Sequence, residues 1–272
     1  LLAKIYAEKP LRDYAKVIHY CDEVKADGFD LVEDFNDLFG MNAAGTDAKM
    51  RNTKESILEA QFTPGAGNWC SWMFGRDLVN WNTNFTWAKW VTPSRDLINA
   101  FKKEGDEVRF KESVVYYDCN WSNYYPSDNY PFMYKCRSAN SSIIKYRYAD
   151  VLLLKAEALI MQDTPDLDGA ADIIDEVRER AKLGALSAST RSNKNAMLNA
   201  LLKERRLELA FEGQRWFDLV RLDKVEEVMN AVYSKDSGRK AQVYAFDKTS
   251  YRLPIPQSVI DANDKIHQNP GY

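Results

Sequence analysis

The chain has 272 residues, of which 45% are hydrophobic and 28% charged, and its formal net charge is −3. These proportions are those of an ordinary globular protein, and a chain of this length can bury a full core without disulfide or metal cross-links. The slightly acidic balance argues against nucleic acid as a partner, because phosphate binding needs a basic face.

The histidines and cysteines do not indicate a metal or redox site. His19 and His267 lie far apart in the sequence, and the four cysteines include no C-x-x-C pair. Zinc sites and redox pairs usually bring such residues close together in sequence, so we expect free thiols. The sequence also lacks a run of 18 apolar residues of the kind that spans a membrane.

Two helices are predicted within residues 1–28. Residues 1–9 have the pattern of a helix that is ended by Pro10, and the following segment has apolar residues at helical spacing up to the stop at Gly28. Because the chain starts inside a helical pattern without Met or a capping residue, we expect it to be a fragment whose N-terminal part is missing.

Residues 40–140 are predicted to form a long, loop-rich insertion. Within it, SILEAQF and EVRFKESVVYYD have the alternation of strands, and PSRDLINAFKKEGD is predicted to be a helix that starts after Ser94 and ends at Gly105.

The most unusual part of the insertion is the segment 68–90, which holds five of the seven tryptophans. The residues between them are mainly Asn, Thr, Ser, Asp and Arg, and a second aromatic segment, 114–134, repeats this composition. Flat aromatic rings suit the apolar face of a sugar, while Asn, Asp and Arg suit its hydroxyl groups. The segments therefore favour a glycan or another ring-shaped ligand, with anchoring of the loops in a core and a protein interface as the alternatives.

The candidate ligand-binding residues come from both aromatic segments. Trp81, Trp87, Trp121, Tyr124 and Tyr125 are predicted to stack on the ligand. The other candidates are Trp72 and Trp90, which could serve either the site or the core, and the polar residues Arg76, Asn82 and Asn84. Trp216, in contrast, lies in a charged helical segment and is predicted to be structural.

The second half of the chain is predicted to be helical. Residues 146–183 form a helix, a turn and a helix capped by Asp168, a pattern similar to that of residues 1–28. Both pairs resemble a tetratricopeptide repeat, in which small alanines let two helices pack closely. Residues 193–272 are predicted to form a long helix to about 222, with a break near Gly213, and then an irregular tail with one helical turn near 257–262. The predicted fold is mostly α, with tetratricopeptide-like hairpins and a long irregular, aromatic-rich insertion.

Three glutamates, Glu204, Glu208 and Glu212, lie on one face of this helix. Paired carboxylates could serve a glycoside hydrolase. We favour a structural role, because Arg205 and Arg215 flank them and predict a charge network that locks a packed helix.

No catalytic triad and no nucleotide-binding loop is recognisable. The acidic turn 163–169 could hold structural calcium only weakly and needs no metal as a helix cap, so no cofactor is predicted.

Several long motifs resemble the SusD/RagB family, and the resemblance covers almost all of residues 1–272. The motifs are LLAKIYAE, YAKVIHYCDEV, GFDLVEDFNDLF, TPSRDLINAF, KYRYADVLLLKAEALIM, LLKERRLELAFEGQRWFDLVRL, YRLPIPQSVIDAN and QNPGY. This resemblance implies that the chain is the C-terminal region of a longer protein with a tetratricopeptide-like scaffold and ligand-binding loops.

The resemblance also implies a function. Members of the family are non-catalytic surface lipoproteins of Bacteroidetes that bind glycans, or sometimes peptides, for uptake through a SusC-like TonB-dependent transporter of the outer membrane. The implied partners are a glycan and this transporter, and the implied membrane contact is an N-terminal lipid anchor outside this chain. Ligand residues vary within the family, so none is carried over by position. The alternatives are peptide cargo, a protein-interaction scaffold on the transporter and, remotely, a glycoside hydrolase.

Overall fold

Helices make up most of the regular structure in residues 1–62, 78–79, 91–121, 124–235, 242 and 244–272, which are the residues that the computed structural model describes. In chain order the helices of this part are α1 (Leu2–Ala7), α2 (Tyr14–Ala26), α3 (Asn36–Phe39), α4 (Arg95–Glu104), α5 (Glu107–Ser113), α6 (Tyr148–Met161), α7 (Leu167–Arg180), α8 (Ala188–Arg191), α9 (Lys194–Glu208), α10 (Arg215–Arg221), α11 (Val225–Lys235) and α12 (Gln257–Asp261). Short 3-10 helices lie at Lys9–Leu11, Ser127–Asn129 and Lys248–Tyr251. By its internal contacts the chain divides into two units, Leu1–Arg215 and Trp216–Tyr272.

Two helical hairpins, α1–α2 and α6–α7, form the scaffold of the first unit. Small side chains lie at the contacts between helices: Ala3 and Ala7 of α1 pack in one buried cluster with Ala158 of α6. Ala170 and Ala171 of α7 are completely buried in the neighbouring cluster. Small residues allow helix axes to approach closely. The predicted mostly α fold with tetratricopeptide-like hairpins is therefore confirmed.

The largest core cluster lies between α6, α7 and α9. Leu153 and Ile160 of α6, Ile174 of α7, and Met197 and Leu201 of α9 are all fully buried in it. These residues recur at the three- and four-residue spacing that places side chains on one helix face. Helix α9 thus covers the second hairpin.

The caps of the helices are largely those indicated by the sequence. Ser94 Oγ accepts a hydrogen bond from the Leu97 N–H at 3.1 Å, and Gly105 ends α4 with a φ of 72°. The prediction that Asp168 caps the second hairpin was wrong. Asp166 is the cap and accepts from the Gly169 N–H at 2.9 Å, because Asp168 already lies in the first turn of α7.

Four short strands form two antiparallel pairs in the described residues. They are β1 (Ser56–Ala60), β2 (Val114–Tyr117), β3 (Tyr130–Met133) and β4 (Ile143–Arg147). Strand β1 pairs with β4 and β2 pairs with β3.

The predicted strand in EVRFKESVVYYD was wrong in its first half. Residues Glu107–Ser113 are helix α5, which Asp106 caps by accepting from the Arg109 N–H at 3.1 Å. The buried residues of this helix include Arg109 and Glu112, whose ion-pair partners include Glu204 and Arg137 from distant parts of the chain. These long-range contacts favour the helix over the strand that the local alternation suggested.

The predicted break in the long C-terminal helix is present. Helix α9 ends at Glu208 and α10 begins at Arg215, and between them Phe211 and Gly213 have φ values of 66° and 77°. Since a side chain disfavours this left-handed region, the glycine allows the turn at one position and tertiary packing holds Phe211 at the other. Phe211 packs with Phe101 of α4 in a small cluster.

The second unit, Trp216–Tyr272, has its own contacts. Trp216 and Tyr233 both lie against Phe246, with ring centroids 6.3 and 6.4 Å away. Trp216 therefore has the structural role predicted for it. In the tail, the Gln268 amide accepts from the Ile255 N–H at 2.8 Å and donates to its carbonyl oxygen at 2.9 Å.

None of the helices in the described part of the chain combines the length and hydrophobicity needed to cross a membrane.

Candidate functional site

The second aromatic segment forms a cluster on the β2–β3 pair. We call Tyr117, Trp121, Tyr124, Tyr125, Tyr130 and Phe132 the aromatic cluster. Tyr130 and Phe132 of β3 are completely buried, and the Tyr117 ring of β2 lies 6.3 Å from that of Phe132. The two strands thus form the base on which the rings that follow β2 are held.

Trp121, Tyr124 and Tyr125 are half-buried members of the aromatic cluster, and all three were predicted to stack on a ligand. Trp121 packs edge-on against Tyr130 with centroids 4.6 Å apart, and Tyr125 does the same at 5.7 Å. Tyr124 lies 5.5 Å from Tyr125 at 76°. Edge-to-face packing fixes the direction of a ring without covering all of it. These residues therefore anchor their loop and still present part of their surface to solvent.

The chain is attached to the aromatic cluster on both sides of residues 80–90. On the N-terminal side Leu78 is fully buried, and its carbonyl oxygen accepts from the Tyr117 hydroxyl at 2.6 Å. On the C-terminal side the Thr92 and Tyr130 hydroxyls share a hydrogen bond of 3.1 Å, and the Tyr125 hydroxyl donates to the Pro93 carbonyl at 2.8 Å. Leu78 and the residues that directly follow position 90 therefore contact the second aromatic segment.

Arg95 completes this junction. Its guanidinium lies 4.7 Å from the Tyr124 ring centroid and 4.1 Å from that of Tyr125, and it donates a hydrogen bond to the Tyr124 carbonyl. The sequence reasoning missed Arg95 and named Arg76 instead. A signal was available, because a cation in the first turn of a helix opposes the helix dipole and so suggests a tertiary role.

The other seven predicted ligand-binding residues lie outside the described residues. They are Trp72, Arg76, Trp81, Asn82, Asn84, Trp87 and Trp90.

All three predicted glutamates are ion-paired; Glu204 and Glu208 are buried, and Glu212 is half-buried. Arg109 binds Glu204 at 2.5 Å and Glu208 at 3.0 Å. Arg147 contacts Glu208 and binds Glu212 at 2.7 Å. The predicted charge network is therefore present, and burial removes Glu204 and Glu208 from contact with a substrate.

These glutamates have partners that the sequence did not identify. Arg205 binds Asp150 at 2.7 Å, and Arg215 donates to the Leu202 carbonyl at 2.8 Å. Among the described residues, the cations that reach the glutamates include Arg109 of α5, Lys135, Arg147 of β4, and Arg178 and Arg180 of α7. Because these residues are far away in sequence, local spacing could not identify them.

In this buried ion-pair network, burial and the neighbouring charges shift the pKa values of Glu208 and Lys135 in opposing directions. Burial raises the pKa of Glu208, but Arg180, Arg147 and Arg109 outweigh it and hold that pKa well below the ordinary value. Burial lowers the pKa of Lys135 to about 8, against the opposing effect of Glu212, which its Nζ contacts at 2.6 Å. The Glu208 shift is thus caused by its ion pairs with arginines, and the Lys135 shift by burial.

The cysteines and acidic residues show no further site in the part of the chain that is described. Cys21, Cys119 and Cys136 are free thiols, as expected. Among the described residues, no group of three or more His, Cys, Asp or Glu side chains could hold a metal ion.

Comparison with known proteins identifies the family. The SusD family model matches residues 129–272, just over half of the chain. The chain belongs to the SusD family. The matched region runs from the end of the 3-10 helix before β3, through the second hairpin and the buried ion-pair network, to the C-terminal tail.

Relatives in the SusD family share parts of the sequence. SusD-like protein P38 of Formosa agariphila is 40% identical over 99 residues, which cover 34% of this chain and 19% of that protein. SusD-like protein P2 of the same species is 33% identical over 142 residues, which cover 50% of this chain and 27% of that protein.

Solved structures share the fold. A SusD superfamily protein from Parabacteroides distasonis superposes with a TM-score of 0.73 at 24% identity, covering 100% of this chain and 61% of that chain. A laminarin-binding SusD-like protein gives 0.67 at 23%, covering 100% and 61%. Surface glycan-binding protein A from Bacteroides thetaiotaomicron, in complex with laminarihexaose, gives 0.69 at 19%, covering 94% and 59%. The chain thus spans less than two thirds of the length of these proteins.

Proposed function

We propose that this protein binds glycans at the bacterial cell surface, without transforming them, for uptake through a SusC-like TonB-dependent transporter. The observation that carries the proposal is the aromatic cluster of this SusD family member, in which Trp121, Tyr124 and Tyr125 are half-buried. The hydroxyls of Tyr117, Tyr125 and Tyr130 hydrogen-bond the residues on both flanks of residues 80–90. Structures of the same fold include a laminarin-binding protein and one bound to laminarihexaose, which supports an oligosaccharide as the ligand.

The chemistry of the aromatic cluster suits a sugar. The C–H face of a pyranose packs on an aromatic ring, and hydroxyl and amide groups around the ring satisfy the sugar hydroxyls. Trp121, Tyr124 and Tyr125 supply the rings in the described part of the site. Trp72, Trp81, Trp87 and Trp90, with Arg76, Asn82 and Asn84, are proposed to complete it.

The burial of two carboxylates supports the proposal that the protein binds glycans without hydrolysing them. A glycoside hydrolase needs an acid and a second carboxylate that reach the scissile bond from either side. Glu204 and Glu208 are buried against arginines, so they cannot take this role. The transporter and the N-terminal lipid anchor enter the proposal from the family alone.

Tryptophan fluorescence of the purified chain tests the proposal. The chain is titrated with laminarin and with other plant, host and microbial polysaccharides. Because stacking changes the polarity around an indole, we expect a saturable emission shift with at least one glycan. Trp81→Ala and Trp87→Ala should weaken or abolish the shift, whereas the control Trp216→Phe, in the second unit, should retain it.

Three outcomes would overturn the proposal. They are no shift with any glycan while the protein remains folded, binding of peptides alone, and release of reducing sugar from a polysaccharide. The second would favour peptide cargo, and the third a hydrolase.

A further inference from the structure

Arg95 occupies a position that its helix alone does not explain. It is the first residue of α4, directly after the capping Ser94. The unpaired N–H groups at a helix start carry partial positive charge, so a cation there is unfavourable by the helix dipole. The next residue, Asp96, interacts favourably with the helix dipole and binds Arg206 at 2.7 Å. Contacts outside α4 therefore offset the unfavourable position of Arg95.

Outside α4, Arg95 contacts two predicted ligand-binding tyrosines of the described chain. The guanidinium lies within 4.7 Å of the ring centroids of both Tyr124 and Tyr125, and it also donates to the Tyr124 carbonyl. A reciprocal hydrogen bond runs from the Tyr125 hydroxyl to the carbonyl of Pro93, at 2.8 Å. The start of α4 and residues 124–125 are thus tied together in both directions.

The chemistry of arginine suits this role. A guanidinium is planar and delocalised, so it can lie over an aromatic ring and donate hydrogen bonds from its edge at the same time. A lysine ammonium is a strongly hydrated point charge and cannot do both in this geometry. The arrangement consequently depends on arginine and not only on a positive charge.

We infer that Arg95 is a positioning residue of the ligand site, which holds Tyr124 and Tyr125 in the orientation that receives the glycan. This inference rests on the proposed function. The two rings stand at 76° to each other, with centroids 5.5 Å apart. A ring that is already oriented loses less side-chain freedom when the ligand binds, so Arg95 contributes affinity even if it does not contact the sugar.

Arg95→Ala, Arg95→Lys and the matched control Arg206→Ala test this inference. Arg206 also contacts the first turn of α4, but its ion pair is with Asp96 and not with the tyrosines. For each variant we would measure the glycan dissociation constant by calorimetry and the hydrogen exchange of the amides of residues 124–130. Arg95→Ala should weaken binding about tenfold, as expected for loss of a cation–π clamp on two rings. Arg95→Lys should fall between Arg95→Ala and the wild type, and Arg206→Ala should bind like the wild type.

Hydrogen exchange separates this inference from the proposed function. Faster exchange in residues 124–130 for Arg95→Ala, and not for Arg206→Ala, is expected whether or not a glycan is found. Unchanged exchange would overturn the positioning role by itself. If the wild type binds a glycan and Arg95→Ala binds equally well, the inference is wrong while the proposed function stands. If Arg95→Ala does not fold, Arg95→Lys, which keeps the charge and the aliphatic stem, provides both measurements.

Discussion

The aromatic cluster and the buried ion-pair network are both groups of chemistry-bearing side chains, yet they lie in opposite environments. In the network, carboxylates and cations are enclosed together: Glu208 and Arg147 are each 1% exposed or less and contact each other directly. In the aromatic cluster, Tyr130 and Phe132 are buried, while Trp121, Tyr124 and Tyr125 remain half-buried. The first arrangement pairs its charges inside the protein, and the second leaves ring surface for another molecule.

The difference shows how the same kind of sequence signal can have two meanings. Three regularly spaced glutamates and a segment with five tryptophans each indicated a possible site for a sugar ligand. A buried charge is tolerated only when it is paired, so burial of the glutamates requires that their capacity for interaction be used inside the protein. Aromatic rings have no such requirement, and they can be partly buried for support while one part stays available. The predictions below test this contrast, from the larger expected effect to the smaller.

Glu208→Gln should lower the free energy of unfolding more than the Tyr125 substitution in the aromatic cluster that is described below. Glu208 contacts Arg109, Arg147 and Arg180, so its neutral replacement leaves three buried cations short of a counter-charge. We expect a loss of about 3–5 kcal/mol in the free energy of unfolding, measured by urea denaturation. The control is Asp172→Asn, which affects a pair at the surface and should cost less than about 0.5 kcal/mol. A loss of unfolding free energy below about 1 kcal/mol for Glu208→Gln would contradict the view that the buried charges depend on each other.

Asp150 should make the fold sensitive to acid. Burial raises its pKa, but the charges of Arg205 and Lys4, whose nitrogens lie at 2.7 and 2.5 Å, outweigh burial and hold the pKa well below the ordinary 3.8. A carboxyl with a lowered folded pKa binds fewer protons when folded than when unfolded. Its stabilising effect is therefore complete above pH 4 and is lost as the pH falls toward the folded pKa.

The expected loss from Asp150 is on the order of 2 kcal/mol between pH 4 and pH 2. Asp150→Asn should be less stable at pH 7 and should show a flatter dependence on acid in urea titrations at each pH. Other carboxyls also change the pH dependence of stability. Glu208 acts in the same direction as Asp150, whereas Asp106 and Glu204, whose pKa values burial raises, act in the opposite direction. The difference between the wild type and Asp150→Asn therefore gives the contribution of Asp150 alone. Equal slopes would show that Asp150 is not the source.

The sequence predicts the scaffold better than the site, for a physical reason. The cap at Ser94, the stop at Gly105 and the alanine-rich hairpins are set by residues close to one another in the chain, so local rules find them. The partners of Glu204 and Glu208 include Arg109, 95 and 99 residues away, and no local spacing records such a pairing. The same holds for Arg95 and Tyr124, which only the fold brings together.

Tyr125→Phe should have the smallest effect, and it tests both the stability of the aromatic cluster and its affinity for glycan. The change keeps the ring but removes the hydroxyl that donates to the Pro93 carbonyl at 2.8 Å. Loss of one neutral hydrogen bond should cost about 1 kcal/mol of unfolding free energy, well below the cost in the ion-pair network. Because Arg95 still contacts the ring, glycan affinity should fall by less than in Arg95→Ala. Tyr125→Ala, which removes the ring as well, should lose most of the affinity. If the two Tyr125 variants bind glycan equally, this ring only anchors the loop, and the receiving surface lies elsewhere in the aromatic cluster.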